Sequence, residues 1–240
     1  MNIIYLDEVN STNSYAKENF EKFEDRAVII ATAQTDGHGR YDRKWVDFGE
    51  GNLFMSIVLK PEGEFRQTYA CLTQYLSVVL HHILEDYGLE PSIKWPNDVL
   101  VDGKKIAGIL CESVLDKNVF KGLVLGIGVN LNAQKSDFSL VKDRKVTSLN
   151  VELGREYEDK KLFTEKLLNA FFKHYDNFLS NGFSLIKDDY VKACKFLGKE
   201  ITVKVFNDKV SGVAQKIGDC GELILLKNNK EIALTMGDIL

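Results

Sequence analysis

Apolar positions along this chain recur at two spacings, and the switches between them mark its elements. Residues 3–6 predict a short strand, and Ser11-Thr12-Asn13 then offer side chains that cap a helix running to about Phe23. Two runs rich in β-branched residues, Ala27–Ala33 and Asn52–Leu59, predict further strands. Between them lie the 18 residues 34–51. A connection normally takes about 4–6 residues, so one this long is functional or disordered. Tyr69, Leu72, Leu76, Val79, Leu80, Ile83 and Tyr87 fall at helical spacing and predict a long amphipathic helix. Val99 to Val101, the turn Asp102-Gly103 and Lys104 onward read as a hairpin with a primed turn. Residues 107–115 and 119–131 continue the sheet around a tight turn at Asp116-Lys117-Asn118. The stripe Phe163, Leu167, Phe171, Tyr175, Phe178 predicts a second long helix over 162–179, with a shorter one at 184–193. After Gly198 the spacing shortens, and residues 200–205, 209–217, 222–227 and 230–235 read as four short strands. The pattern predicts an α+β domain over 1–196 followed by a small β-barrel over 197–240.

Composition narrows the class. With 45% hydrophobic and 28% charged residues and a net charge of −4, the chain can fill a core and does not read as disordered. No run approaches the roughly 18 apolar residues of a membrane span. The opening MNIIYLDEVNSTN carries acids and no basic region, which argues against a secretory signal. Cys71, Cys111, Cys194 and Cys220 form no CxxC pair, so reduced, mostly packed thiols and a cytoplasmic location are expected. The histidines form no HxxxH or HExxH, and His81 and His82 are helical neighbours read as pointing apart, so no protein-held metal is expected. The absence of any block of like charge argues against bulk nucleic-acid binding.

Four segments carry candidate chemistry. The long loop reads Thr35-Asp36-Gly37-His38-Gly39-Arg40-Tyr41-Asp42-Arg43-Lys44-Trp45. Its glycines permit close backbone approach to an anion, and Arg40, Arg43 and Lys44 add cations. A solvated surface loop is the equal alternative. Lys94-Trp95-Pro96-Asn97-Asp98 precedes the hairpin, with Pro96 expected to hold Trp95 extended. The chain's two tryptophans, Trp45 and Trp95, each follow a lysine in these two segments, which points weakly to a shared site. Lys105 shares strand parity with Ala107, Ile109 and Cys111, and Lys104 with Ile106 and Leu110. One of these lysines should meet an anion, and the pattern leaves open which. In Gly126-Ile127-Gly128-Val129-Asn130-Leu131, alternation puts Gly126, Gly128 and Asn130 on one face and the apolar residues on the core face. A bare glycine face accepts either a flat ligand or, as the commoner case, a closely packed helix.

Taken in order, these segments resemble the biotin protein ligases. The motifs stand here as Ser11-Thr12-Asn13, Gln34-Thr35, Gly37-His38-Gly39-Arg40, Arg43-Lys44-Trp45, Lys94 to Asp98, Lys105-Ile106-Ala107-Gly108-Ile109, and Gly126 to Asn130. The resemblance covers residues 6–132 closely, and the C-terminal strands resemble the family's small SH3-like barrel. It implies a mixed-sheet α+β ligase fold and a reaction in which biotin and ATP, with Mg²⁺, form biotinyl-adenylate, from which a lysine of a biotin carboxyl carrier protein takes the biotin. It implies that Ser11, Thr12, Asn13, Gln34, Gly37, His38, Gly39, Arg40, Trp45, Lys105 and Gly108 bind or frame biotin. Arg40, Arg43, Lys44, Trp45, Asn97, Lys105, Gly126, Gly128 and Asn130 would serve ATP and the adenylate. Lys105 and Arg40 would be catalytic, and Asp98 would orient or deprotonate the acceptor lysine. His38 departs from the family, which usually has arginine there. The resemblance begins at the catalytic domain, so it carries no DNA binding, and it leaves monomer and homodimer both open. Other classes remain in view: a lipoate or octanoate ligase of the same fold, or a non-catalytic biotin or nucleotide binder.

Overall fold

The computed structural model describes residues 2–49, 51–155 and 159–240. In chain order the elements are β1 (Ile3–Val9), α1 (Thr12–Glu18), β2 (Val28–Gln34), β3 (Leu53–Leu59), α2 (Leu72–Asp86), β4 (Pro91–Lys94), β5 (Asp98–Val101), β6 (Lys104–Asp116) and β7 (Val119–Val129). They continue as α3 (Leu149–Leu153), α4 (Lys160–Asn181), α5 (Lys187–Ala193) and β8 (Glu200–Val205). The last four are β9 (Asp208–Ile217), β10 (Leu223–Lys227), β11 (Lys230–Leu234) and β12 (Asp238–Ile239). The turn between β5 and β6 holds Asp102 and Gly103 at φ of 49° and 69°, the left-handed pair a primed turn requires. Helix α1 stops short of Phe23 because Asn19 closes it: its carboxamide bonds back to the Tyr15 carbonyl at 3.0 Å, and a 3₁₀ turn follows at Phe20–Lys22. The short strands β4 and β12 and helix α3 add to the predicted elements.

The chain forms two compact units, each drawn from separate stretches of sequence. The first combines the described residues of Met1–Arg66 with Gly103–Lys166. Its sheet runs β1-β2-β3-β7-β6, parallel between β1 and β2 and antiparallel elsewhere, so it is mixed. Ala16 and Phe20 pack with Ala27, Ile29, Val58 and Val124 as one buried cluster on the face that α1 covers. The opposite face carries Met55, Ile57, Leu125, Ile127, Val129 and Ile109, all buried, as alternation predicts.

The second unit combines Gln67–Asp102 with Leu167–Leu240. In it the β4–β5 hairpin, α2 and α5 surround a core in which Tyr75 stacks on Phe178 at 4.5 Å. Its C-terminal strands form an antiparallel sheet in the order β11-β10-β9-β8-β12, consistent with an SH3-like domain. Among the described residues no backbone pairing joins β11 to β12.

Candidate active site

Strand register in the first unit arranges the face under α1 in three rows. Val58, Val124 and Glu112 lie side by side; then Ser56, Gly126 and Leu110; then Phe54, Gly128 and Gly108. The glycines sink the second and third rows below their surroundings. The depression is filled by two side chains. Asn13 lies where a Cβ on Gly126 would stand, and a Cβ on Gly128 would fall 2.5 Å from the Trp45 indole. Gly108 is likewise 2.8 Å from Trp45 by the same construction. Against the glycine face pack a helix-borne asparagine at one row and the loop tryptophan at the other.

A polar network runs along this depression. The Thr12 N–H donates to Gln34 Oε1 at 2.8 Å, and the Thr12 hydroxyl lies 3.2 Å from the same oxygen. Ser56 Oγ lies 2.8 Å from the Thr12 hydroxyl and donates to Asn13 Oδ1 at 2.6 Å. Asn13 Nδ2 donates to Glu112 at 2.9 Å, and Lys17 Nζ to the same carboxylate at 2.6 Å. Burial pushes the Glu112 carboxyl up, but hydrogen bonds from Lys17 and Asn13 and the charges of Lys17 and His38 outweigh it, leaving Glu112 below the usual range. Ser11 caps α1, its hydroxyl accepting from the Ser14 N–H at 3.5 Å. Sequence reasoning missed Ser56 and Glu112. Ser56 is the one polar residue inside the run LFMSIVL, a signal that was there to be read.

The loop folds back as a small hairpin over the same face. Trp45 N–H donates to the Gly37 carbonyl at 2.8 Å, Gly39 N–H to the Arg43 carbonyl at 2.7 Å, and His38 bridges Lys44. His38 Nε2 lies 3.7 Å from Glu112. The guanidinium of Arg40 lies over the Tyr41 ring at 5.3 Å. Beyond Trp45 opens a cavity of about 330 Å³. Five cations line it: the predicted Arg43, Lys44 and Lys105, together with Lys142 and Arg144, which the sequence reading passed over. Asp143 is the one acid of the lining, and its carboxyl sits below the usual range chiefly through the Arg144 hydrogen bond. Trp45, Phe48, Leu140, Val141 and Val146 supply apolar walls, and the predicted Asn130 lines it too, its side chain donating to the Thr147 carbonyl at 2.9 Å. Arg40 lies outside this lining.

The two lysines go to different places. Lys104 reaches Glu152 of α3 at 2.9 Å. Lys105 has the strand parity of the core residues Ala107 and Ile109, yet its long stem, at the first turn of β6, carries the ammonium to the other side. There it stands 2.9 Å from the Cβ position of Gly108 and 5.3 Å from the Trp45 ring centre. Backbone bonds between Lys105 and residues 145 and 147 hold the 140–146 segment beside it. The Trp45 indole N–H is buried without a hydrogen-bond partner, an arrangement costing about 1–3 kcal/mol that a ligand acceptor would relieve.

Lys94, Asn97 and Asp98 belong to the second unit, where Lys94 and Asp98 pair across the β4–β5 turn and Asn97 is buried. The Trp95–Pro96 bond is cis. Trp95 is a core residue 2% exposed, its indole donating to the Gly221 carbonyl at 3.0 Å; Tyr190 donates to the Pro96 carbonyl at 3.0 Å. Each tryptophan is thus described within its own unit, Trp95 as a core anchor and Trp45 as part of the cavity lining.

A sequence profile of the Biotin/lipoate A/B protein ligase family matches residues 5–130, more than half of the chain, and the chain belongs to that family. Among its curated relatives is the biotin–[acetyl-CoA-carboxylase] ligase of Paracoccus denitrificans, 32% identical over 229 residues that cover 92% of each chain. The bifunctional ligase/repressor BirA of Bacillus subtilis is 30% identical over 94% of this chain and 70% of its own length. In structure the chain resembles the biotin protein ligase of Aquifex aeolicus solved with biotin and ATP, with a TM-score of 0.81, 28% identity, and coverage of 100% and 97% of the two chains.

Proposed function

We infer that this chain is an ATP-dependent biotin protein ligase. The observation that carries the reading is the position of Lys105, whose ammonium stands where the glycine rows meet the cation-lined cavity. Biotin would lie along the rows, framed by Thr12, Asn13, Gln34 and the 37–40 hairpin, with its carboxylate toward Lys105. ATP would enter the cavity as its magnesium complex, its base against the apolar wall that includes Trp45, and its phosphates toward Arg43, Lys44, Lys142 and Arg144. The lining offers one carboxylate, so phosphate oxygens and water would supply most of the Mg²⁺ ligands. The biotin carboxylate attacks the α-phosphorus, the bond to the bridging oxygen breaks, and pyrophosphate leaves. Two anions must meet in this step, and preset cations stabilise the charge that develops. A carrier lysine, as its free amine, then attacks the acyl carbon and releases AMP. Asp98 is assigned to the proton of that amine, residues 1–196 to the catalytic domain, 197–240 to the C-terminal domain, and the carrier of a biotin-dependent carboxylase to the acceptor. Biotin-dependent exchange of labelled pyrophosphate into ATP tests the reading. Exchange driven by lipoate or octanoate but not by biotin would overturn it.

A further inference from the structure

The chemistry above gives Glu112 no part, yet two segments remote in sequence converge on its carboxylate. Asn13 and Lys17 reach it from α1, and His38 from the 34–51 loop. These, with Asp36, whose backbone carbonyl lies 3.5 Å from His38 Nδ1, are the groups around the contact. The Glu112 side chain is 23% exposed, so the contacts act in a drier setting than an open surface pair. Asn13 has little freedom of its own: Ser56 donates to its oxygen, and its nitrogen points at Glu112 and the Leu110 carbonyl. Trp45 holds the other end of the loop hairpin through apolar contact, which resists sliding weakly. Glu112 supplies the directional hold.

We propose that Glu112 is the positioning residue of the biotin subsite, tying His38 of the loop to the start of α1 so that both meet the ligand in one preset arrangement. The proposal rests on the ligase reading. Glu112→Gln tests it, because the amide still fills the space and accepts from Asn13 but loses the charge that holds Lys17 and His38. In the ligand-free protein, trypsin should cut after Arg40, Arg43 or Lys44 about fivefold faster in the variant, since loop opening exposes these bonds. In pyrophosphate exchange the KM for biotin should rise about tenfold, with kcat and the KM for ATP held within about twofold. Adding His38→Gln to Glu112→Gln should not speed cleavage of the ligand-free loop further, since there the two act through one contact. Unchanged cleavage, unchanged biotin KM, or additive effects of the two substitutions on cleavage would overturn the assignment. Should Glu112→Gln fold poorly, His38→Gln alone must speed cleavage and raise the biotin KM. A wild type with no biotin-dependent exchange defeats the ligase reading itself, while the cleavage comparison still judges the tether.

Discussion

Lys104 and Lys105 are neighbours with different duties. Lys104 belongs to a local ion pair with Glu152, and Lys105 to the junction of floor and cavity. Lys105→Ala is expected to cost about 2–4 kcal/mol of transition-state stabilisation, a loss of roughly a hundredfold in pyrophosphate exchange. Lys104→Ala should cost about 1 kcal/mol or less, read as a small fall in Tm with exchange retained. Equal losses of exchange would contradict the geometry. The cysteines give a second test at this scale. Burial pushes the Cys71 and Cys111 thiols up to about 12 and raises Cys194 further, so none is a thiolate at neutral pH. Cys220 is the exposed one. Mass spectrometry after brief alkylation of the native protein should find Cys220 modified first and the other three only on unfolding. Glu112 adds a pH dependence. Its folded carboxyl lies below the ordinary range, so its contribution to stability is present above that range and is lost as pH falls through the folded value. Thermal melts between about pH 7 and 3 should show Glu112→Gln less sensitive to acid than the wild type.

At the scale of elements, period-2 alternation put Gly126 and Gly128 on the correct face of β7 because alternation follows from strand geometry alone. It did not name the occupants of that face, which come from α1 and from a loop. Gly128→Ala therefore has a specific expected outcome. The added methyl collides with the Trp45 indole, which must leave the floor at a cost of about 1–3 kcal/mol. Tryptophan emission should shift to the red while buried Trp95 holds its contribution, and the KM for ATP should rise. An unshifted spectrum would mean that the sheet, not Trp45, gives way. Lys105 shows the limit of parity from the other side. Alternation fixes where a Cβ points, but four methylenes at a strand end can carry an ammonium around it.

For the molecule as a whole, the two half-reactions are expected to separate. An acceptor lysine with an ordinary pKa of about 10.4 must lose a proton before it attacks, and that proton has no part in making the adenylate. Asp98→Asn should thus slow transfer to the carrier more than pyrophosphate exchange. Equal slowing, or a fall in Tm with both, would reduce Asp98 to a residue of the β4–β5 turn. By itself the sequence determined the helices and strands other than β4, α3 and β12, the core face of β7, and the order of motifs that marks the ligase family. The elements and the core face depend on spacing within a few residues, where backbone geometry dictates the period, and the family was legible through the resemblance of its motifs. Only the tertiary structure decided which lysine faces the cavity, that Ser56 and Glu112 complete the network around Asn13, and that Lys142 and Arg144 join the cations of the loop. Asn13 and Glu112 are 99 residues apart, and their meeting depends on the β3–β7–β6 register and on where α1 lands. No local period carries that information, because side chains converge across strands through the packing of the whole sheet rather than through the chain between them.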